Sequence, residues 1–206
     1  MNVIVCCEES QRVCLAFLSK GHNAFSCDLQ NCSGGRPDRH IKGDAISILN
    51  GGNFITCDNK DHFVTKWDLL IAHPPCTFLT ATGSQHMYPH GRIDVYRWQQ
   101  AMEAKKFFLE FYNAPIDKIC VENPVPITYI GLPPYTQIIH PCYFGSLYKK
   151  RTCLWLKNLQ PLKRTHFDID GISRSKAAWF NNCKDKHLAR SKTFIEVANA
   201  MAEQWG

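Results

Sequence analysis

The run Trp67-Asp68-Leu69-Leu70-Ile71-Ala72-His73-Pro74-Pro75-Cys76 carries the strongest structural signal in the chain. Its apolar middle is bounded by polar residues, a pattern typical of a buried β-strand. Two consecutive prolines end that strand, because proline lacks the backbone N–H that a sheet requires. The following loop begins at Cys76, so we expect its thiol at the end of the strand rather than in the core.

Apolar segments that resemble strands recur on both sides of this run. We predict further strands at residues 1–7, 23–29 and 116–122, and shorter β-like runs at 137–144 and 151–156.

Amphipathic helices are predicted between these strands. The first is capped by Ser10 and runs to about Lys20, a second of about twenty residues follows Arg92, and a third ends the chain. Thr193 and Glu196 are predicted to form a capping box at the start of the third helix. This alternation indicates an α/β fold in which a mostly parallel sheet carries helices on both faces.

Polar residues follow the predicted strands and are expected to share one rim, because ligands of open α/β sheets bind beyond the carboxyl ends of the strands. Asp28 ends the second strand and fits either an acceptor for ribose hydroxyls or a solvated turn residue. Asp44 fits either an acceptor for an adenine amino group or a helix cap before Ile46. The full set is Cys7, Glu8, Asp28, Asp44, His73 to Cys76, Glu122 and Asn123.

The first predicted turn, Cys6-Cys7-Glu8-Glu9-Ser10, contains no glycine. The chain therefore lacks a GxGxxG loop at this point, and with it the usual cradle for a pyrophosphate. This counts against NAD or ATP and favours a nucleoside cofactor that has no phosphates.

Cys76 and Glu122 together point to a specific chemistry, although each alone has an ordinary structural interpretation as a buried thiol or an ion-paired carboxylate. Carbon 5 of cytosine is too weakly nucleophilic to accept a methyl group until a thiolate adds at carbon 6 and makes the ring an enamine. A carboxylic acid at ring nitrogen 3 neutralises the charge which that addition creates. Two adjacent parallel strands ending at these residues would hold both groups around one base.

These motifs, in this order, resemble the cytosine-C5 DNA methyltransferases, and more closely the short phage-type DNA cytosine methyltransferase-like proteins. Residues 72–83 are similar to the Pro-Cys loop of that family, and Val121-Glu122-Asn123-Pro124 to its Glu-Asn-Val motif. The resemblance implies a Rossmann-like class I methyltransferase fold that transfers a methyl group from S-adenosyl-L-methionine to cytosine carbon 5 in DNA. It implies Cys76 as the nucleophile and Glu122 as the acid at nitrogen 3.

Further family motifs imply the rest of the site. Ser26-Cys27-Asp28-Leu29 resembles the second-strand motif, which implies that Asp28 binds the cofactor ribose and Leu29 packs on its adenine. Lys149-Lys150-Arg151 resembles an Arg-x-Arg motif, which implies that Arg151 orients the base. Gly43-Asp44 and the segment before the last helix resemble two more cofactor motifs. The implied cofactor-binding residues are Cys7, Glu8, Asp28, Leu29, Asp44, Pro74 and Thr193.

The chain departs from the family pattern in three ways. Its first turn lacks glycines, a proline follows Glu122-Asn123, and the large target-recognition region is absent. Residues 157–189 stand in the place of that region, as a short insertion in one catalytic domain spanning residues 1–206. A segment this short predicts limited sequence specificity, or recognition that relies on a partner.

Two other functions fit the same residues. The thiolate chemistry could act on carbon 5 of a nucleotide or of RNA, or the chain could bind nucleic acid without catalysis. An amino-group methyltransferase fits less well, because His73-Pro74-Pro75-Cys76 lacks the acidic or amide residue and the aromatic residue of the Asp/Asn-Pro-Pro-aromatic loop.

Composition constrains the setting of the protein. The 24 basic and 18 acidic residues give a net charge of +6, which is compatible with a polyanionic partner such as DNA. Eleven cysteines contain no CxxC pair and nine histidines show no ligand spacing, so we expect reduced thiols and no metal site. With no export leader and no apolar run long enough to span a membrane, we expect a cytoplasmic protein of a bacterial or phage-infected cell. Oligomeric state is not indicated.

Overall fold

The computed structural model describes residues 1–80, 86–167 and 192–206. Within these residues, seven strands form one sheet and two form a separate antiparallel hairpin. The sheet strands are β1 (Asn2–Cys6), β2 (Asn23–Asp28), β3 (His40–Lys42), β6 (Leu69–Ala72), β7 (Lys118–Asn123), β8 (Gln137–Ile139) and β9 (Thr152–Lys157). The hairpin strands are β4 (Gly52–Ile55) and β5 (Asp61–Val64).

Three α-helices accompany these strands in the described residues: α1 (Arg12–Ser19), α2 (Val95–Tyr112) and α3 (Ile195–Trp205). The strand order is β3-β2-β1-β6-β7-β9-β8, and β9 runs in the opposite direction to the other six strands. The first five positions follow the order of a Rossmann-like sheet. The prediction of a mostly parallel α/β sheet is therefore confirmed.

Alternate residues of each strand enter two different cores. In β1, Ile4 points into the core that contains α2, while Val3 and Val5 point into the core that contains α1 and α3. All three side chains are completely buried. Because both faces are covered, the strands are apolar throughout rather than alternating, which is why they are recognisable as short continuous apolar runs.

The parallel strands bring their carboxyl ends to one edge of the sheet, called the rim below. Strand β8 runs in the same direction as β7, and β9 begins at the rim because it runs the opposite way. The chain continues from β1 to β2 and β3 on one side, and then crosses to β6 and β7 on the other. In such sheets the crevice at this reversal, here between β1 and β6, is where ligands bind.

Several local predictions are wrong in detail. Helix α1 begins after Gln11, which has a left-handed backbone conformation (φ 57°), and not after Ser10. Phe194 precedes α3 without any side-chain cap, so the capping box of Thr193 and Glu196 does not form. The run predicted at 137–144 is a strand only as far as Ile139, because Pro141 ends it and starts a 3₁₀ turn. The hairpin was not predicted.

Two further findings concern the described residues. None of their helices has the length and apolar character needed to cross a membrane, and no disulfide joins their cysteines. Residues 168–189, most of the predicted short insertion, lie outside the described part of the chain.

The core below the rim yields a stability prediction. Phe108 of α2 is fully buried and meets Trp155 of β9 edge to face, with ring centroids 4.9 Å apart. We expect Phe108→Ala to lower the free energy of unfolding by about 3–5 kcal/mol, because it leaves a cavity and removes an aromatic pair. Urea denaturation measures the change. The exposed Tyr96 of the same helix is the control: Tyr96→Ala should change stability by less than about 0.5 kcal/mol. Equal effects would contradict the packing assigned to α2.

Candidate active site

A cavity of about 780 Å³ opens at the rim where the strand order reverses. Its volume suits a nucleoside-sized ligand. The residues singled out from the sequence that line it are Cys7, Glu8, Asp28, Leu29, Asp44, His73, Pro75, Cys76 and Thr193. Pro75 rather than Pro74 is in its wall, and Glu122 and Arg151 lie outside the lining.

Two carboxylates stand on the wall formed by β2 and the turn after β3. Asp28 Oδ1 accepts from the Gln30 N–H at 2.9 Å, and Asp44 Oδ1 accepts from the Ile46 N–H at 3.0 Å. In each case the other oxygen has no hydrogen bond within residues 1–80, 86–167 and 192–206. Leu29, which follows Asp28 directly, also lines the cavity and is 74% exposed. This wall therefore offers hydrogen-bond acceptors beside an uncovered apolar surface.

Glu8 occupies the turn after β1 in an unusual way. Its buried carboxylate accepts from the backbone N–H groups of Val13 (2.6 Å) and Cys14 (3.2 Å), in the first turn of α1. Burial raises the pKa of Glu8 to about 7, although the charge of His73 and these two hydrogen bonds lower it. The N–H groups that often hold a phosphate thus hold the protein's own carboxylate. The turn therefore has no free cradle for a pyrophosphate, as its lack of glycine predicts.

The last segment of the chain closes a third side of the cavity. Arg12 donates to the carbonyl of Thr193 at 2.7 Å, which ties this segment to the start of α1. Lys192 donates to Ser33 Oγ at 2.9 Å and lies 3.5 Å from a carboxylate oxygen of Glu9. Thr193 thus reaches the cavity wall although it does not cap α3.

Cys76 starts a tight turn directly after the two prolines. Its carbonyl accepts from the N–H groups of Leu79 (3.0 Å) and Thr80 (3.1 Å), and its side chain is partly exposed at the cavity. The same turn is joined to the segment that follows β7, because Ile127 donates its N–H to the carbonyl of Leu79 at 2.8 Å. The thiol is therefore held at the rim and beside the end of β7.

Glu122 and Asn123 end β7 next to the Pro-Cys loop. The buried amide of Asn123 donates to the carbonyl of Pro74 at 3.2 Å and so fixes the approach to the cysteine. Glu122 Oε2 lies 3.4 Å from His73 Nδ1, and its side chain is 17% exposed. Burial raises the pKa of Glu122, but the hydrogen bond with His73, the charge of Lys150 and the Thr152 hydroxyl outweigh it, so the pKa is lowered overall.

Arg151 and Lys150 precede β9 at the same rim but have different surroundings. The charge of Lys150 reaches Glu122. Arg151 is exposed, and its charge acts on His140 instead. Burial lowers the pKa of His140, and nearby cations lower it further. Those cations are Arg151, Lys149 and Arg164. The rim beyond β8 and β9 is therefore a positively charged surface.

Aromatic side chains gather beside the Pro-Cys loop. Tyr129 follows β7 and contacts Tyr88 edge to face at 5.7 Å and Trp98 in a stacked arrangement at 6.3 Å. Arg97 lies over the ring of Phe78 at 5.2 Å, two residues beyond the cysteine. Both tyrosines are about 40% exposed. Flat rings and a guanidinium at a site entrance suit stacking against nucleobases.

The sequence placed His73 among the rim residues but predicted no role for it, and it predicted no part in the site for Lys150 or for the aromatic cluster. The signal for His73 is an ionisable residue at the end of a fully apolar strand. Lys150 stood in the basic motif, where the choice between adjacent residues depends on which face of the strand each one takes. The aromatic residues come from distant segments, and no local pattern links them.

The raised pKa of Glu8 makes stability depend on pH. Between its unfolded value near 4.5 and its folded value of about 7, the folded state holds the proton more tightly, so stability falls as pH rises through this window. We expect the stability of the wild type relative to Glu8→Gln to decrease by up to about 3 kcal/mol from pH 4.5 to pH 8, measured by urea denaturation. The exposed Glu110 supplies the control, Glu110→Gln, whose difference from wild type should not vary with pH. A Glu8→Gln difference that is equally constant would contradict the burial of a titrating carboxyl.

Comparisons with known proteins give little further guidance. No known protein family matches the chain, and no curated protein matches it in sequence. Among solved structures, it is similar to a prophage-encoded protein from E. coli that is provisionally named a DNA modification methyltransferase, with 14% identity and a TM-score of 0.43. The match covers 76% of this chain and 46% of that one, so the chain spans less than half the length of that protein. A likeness this weak carries no argument about activity.

Proposed function

We propose that this chain is a methyltransferase that transfers a methyl group from S-adenosyl-L-methionine to carbon 5 of cytosine in DNA. One observation carries the proposal: Cys76 follows β6 and lines the nucleoside-sized cavity, and Glu122 stands near the end of the adjacent parallel strand β7. Thiolate addition at carbon 6 and protonation at nitrogen 3 require these two groups on one base. The resemblance of the Pro-Cys and Glu-Asn motifs supports the same pairing.

The residues of the cavity suit the proposed cofactor. In this proposal Asp28 accepts from ribose hydroxyls, Leu29 covers an adenine ring, and Asp44 accepts from its amino group. Glu8 already neutralises the start of α1, which fits a cofactor that brings no phosphate. When bound, S-adenosyl-L-methionine supplies an electrophilic methyl group on a sulfonium; orientation of the base and movement of its proton are left to the protein.

The proposed mechanism assigns one role to each residue of the site. The Cys76 thiolate attacks carbon 6, and Glu122 gives a proton to nitrogen 3, which leaves carbon 5 nucleophilic. After methylation, a water molecule takes the carbon 5 proton, the electrons of that C–H bond form the carbon 5–carbon 6 double bond, and the carbon 6–sulfur bond breaks to release the thiolate. The nitrogen 3 proton returns to Glu122. Arg151, at the start of β9, is proposed to orient the base, and Asn123 holds the Pro-Cys loop through the carbonyl of Pro74.

DNA is the proposed substrate because the site is flanked by charge and by aromatic rings. Lys149, Arg151 and Arg164 line the rim on one side, where phosphates would be attracted. Tyr88 and Tyr129 flank the Pro-Cys loop on another side, where unstacked bases would find partners. A base that enters this site must leave the helical stack, and both features support an extruded or single-stranded nucleotide.

The nucleophile assignment is tested by substitution and by trapping. We expect Cys76→Ser to reduce methyl transfer by more than about a thousandfold while the affinity for cofactor stays unchanged, because serine is a far weaker nucleophile at neutral pH. A labelled methyl donor with duplex DNA, single-stranded DNA, RNA and dCMP measures the transfer. Cys32, partly exposed at the edge of the same region, supplies the control Cys32→Ser, which should retain activity.

DNA containing 5-fluorocytosine should form a covalent adduct that depends on Cys76, since fluorine at carbon 5 prevents release of the enzyme. Normal turnover by Cys76→Ser would overturn the proposed nucleophile. An adduct with free 5-fluoro nucleotides or RNA but not with DNA would show that the thiolate acts on those substrates instead of DNA. Absence of cofactor binding and of transfer with every substrate would leave nucleic-acid binding without catalysis as the better description.

The cofactor wall is tested through Asp28. Removing its carboxylate by Asp28→Ala should weaken S-adenosyl-L-methionine binding about tenfold to 150-fold, the cost of losing a charge-assisted hydrogen bond of about 1.5–3 kcal/mol. Isothermal calorimetry on the free protein measures it. Asp61→Ala, in the exposed strand β5 of the hairpin, is the matched control. Equal affinities for the two variants would exclude Asp28 from the binding site.

A further inference from the structure

His73 is enclosed between two carboxyl groups at the centre of the rim. It follows β6, whose last residue pairs with Cys6 of β1 on one side and with Val121 of β7 on the other. Its Nδ1 atom lies 3.4 Å from Glu122 Oε2, and its side chain is only 8% exposed. Glu8 lies on the opposite side, close enough for the two charges to interact.

The second ring nitrogen of His73, Nε2, is buried and has no hydrogen-bond partner within residues 1–80, 86–167 and 192–206. His73 also lines the cavity. A buried polar atom without a partner is costly, and such atoms in native proteins commonly serve a ligand or a catalytic step. One nitrogen of the imidazole thus interacts with Glu122, and the other can bind a proton or a polar group of a ligand.

We propose that His73 is the proton store for Glu122, holding the proton that Glu122 delivers to nitrogen 3 of the base and taking it back when the product is released. This inference rests on the function proposed above and deepens it. His73 acts only through the carboxyl group and is therefore a positioning and proton-supplying residue, not a group that touches the base.

A proton store is needed because the surroundings of Glu122 favour its ionised form. Its hydrogen bond with His73, the charge of Lys150 and the Thr152 hydroxyl favour the carboxylate, and they lower the pKa of Glu122 despite burial. An ionised carboxylate has no proton to give. The imidazole, whose Nδ1 lies 3.4 Å from the carboxylate, is a group able to supply one.

The proton movements balance. As the Cys76 sulfur–carbon 6 bond forms, the ring electrons shift towards nitrogen 3, which takes the proton from Glu122. Glu122 takes the Nδ1 proton of the imidazolium in the same step, so a thiolate and an imidazolium become a neutral thioether and a neutral imidazole. Elimination reverses each movement. The ionisable groups that face His73 are Glu122 on β7, Glu8 after β1 and, through Glu122, Lys150 before β9.

The pH dependence of His73→Asn tests this role. Asparagine keeps an N–H that can donate to Glu122 but cannot store a proton. We expect methyl transfer at pH 8 to fall about tenfold to a hundredfold. At pH 5.5, protons from solvent reach Glu122 directly, so the ratio of wild-type to variant rate should shrink by at least about fivefold. His22→Asn, at the opposite edge of the sheet before β2, should match the wild type at both pH values.

A second measurement does not require catalysis. The titration of the Glu122 carboxyl carbon, followed by ¹³C NMR on the free protein and assigned with Glu122→Gln, should move to higher pH in His73→Asn. The reason is that a positive neighbour no longer favours the carboxylate. If His73→Asn disturbs the fold, His73→Gln gives the same comparison with a longer amide.

The outcomes separate the two proposals. An equal loss of activity at pH 5.5 and pH 8, or no loss, would overturn the proton store and leave His73 a structural residue. An unchanged Glu122 titration would overturn the coupling in any case. If the wild type transfers no methyl group to cytosine but the Glu122 titration shifts as expected, the proposed function fails while the coupling of His73 to Glu122 stands.

Discussion

The rest of the site depends on the parallel pairing of β6 with β1 and β7. Ala72 is paired with Cys6 on one side and Val121 on the other, so the residues that follow each strand end side by side. A slip of one residue would turn every side chain to the other face of the sheet. The register is held because Ile71 and Leu70 are fully buried in opposite cores. Burial of two apolar faces thus determines which polar residues meet at the rim.

The turn after β1 differs in chemistry from the glycine-rich turn that commonly binds a phosphate at this place in the fold. A glycine-rich turn leaves the N–H groups of the next helix open to a phosphate, whereas here the Glu8 carboxylate accepts from Val13 and Cys14. This arrangement satisfies the N–H groups of Val13 and Cys14 within the protein, so these groups are not open to a phosphate. It also buries a carboxyl whose charge interacts with His73, so the turn after β1 and the end of β6 share one electrostatic environment.

Much of this architecture could be predicted from the chain because it follows from local patterns. Apolar runs ended by proline or by acidic residues located β6 and β7 to within a few residues, and the parallel sheet then placed Asp28, Cys76 and Glu122 at one rim. Structural features that do not follow from local sequence patterns were not predicted. The hairpin β4–β5 has no regular alternation, since both Ile55 and Phe63 are exposed. The start of α1 depends on a left-handed Gln11, which loop 31–36 holds through hydrogen bonds from across the turn.

Which of the adjacent cations Lys150 and Arg151 acts on Glu122 can be determined only from the three-dimensional structure. The two cations are adjacent in sequence, yet a strand turns successive side chains to opposite faces. Lys150 shares a face with Thr152 and reaches Glu122, whereas Arg151 stands among the cations around His140. The Glu122 carboxyl is thereby surrounded by one imidazole, one ammonium and one hydroxyl, and all three favour its ionised form. In the mechanism proposed above, the imidazole of His73 also carries the proton that neutralises this carboxyl.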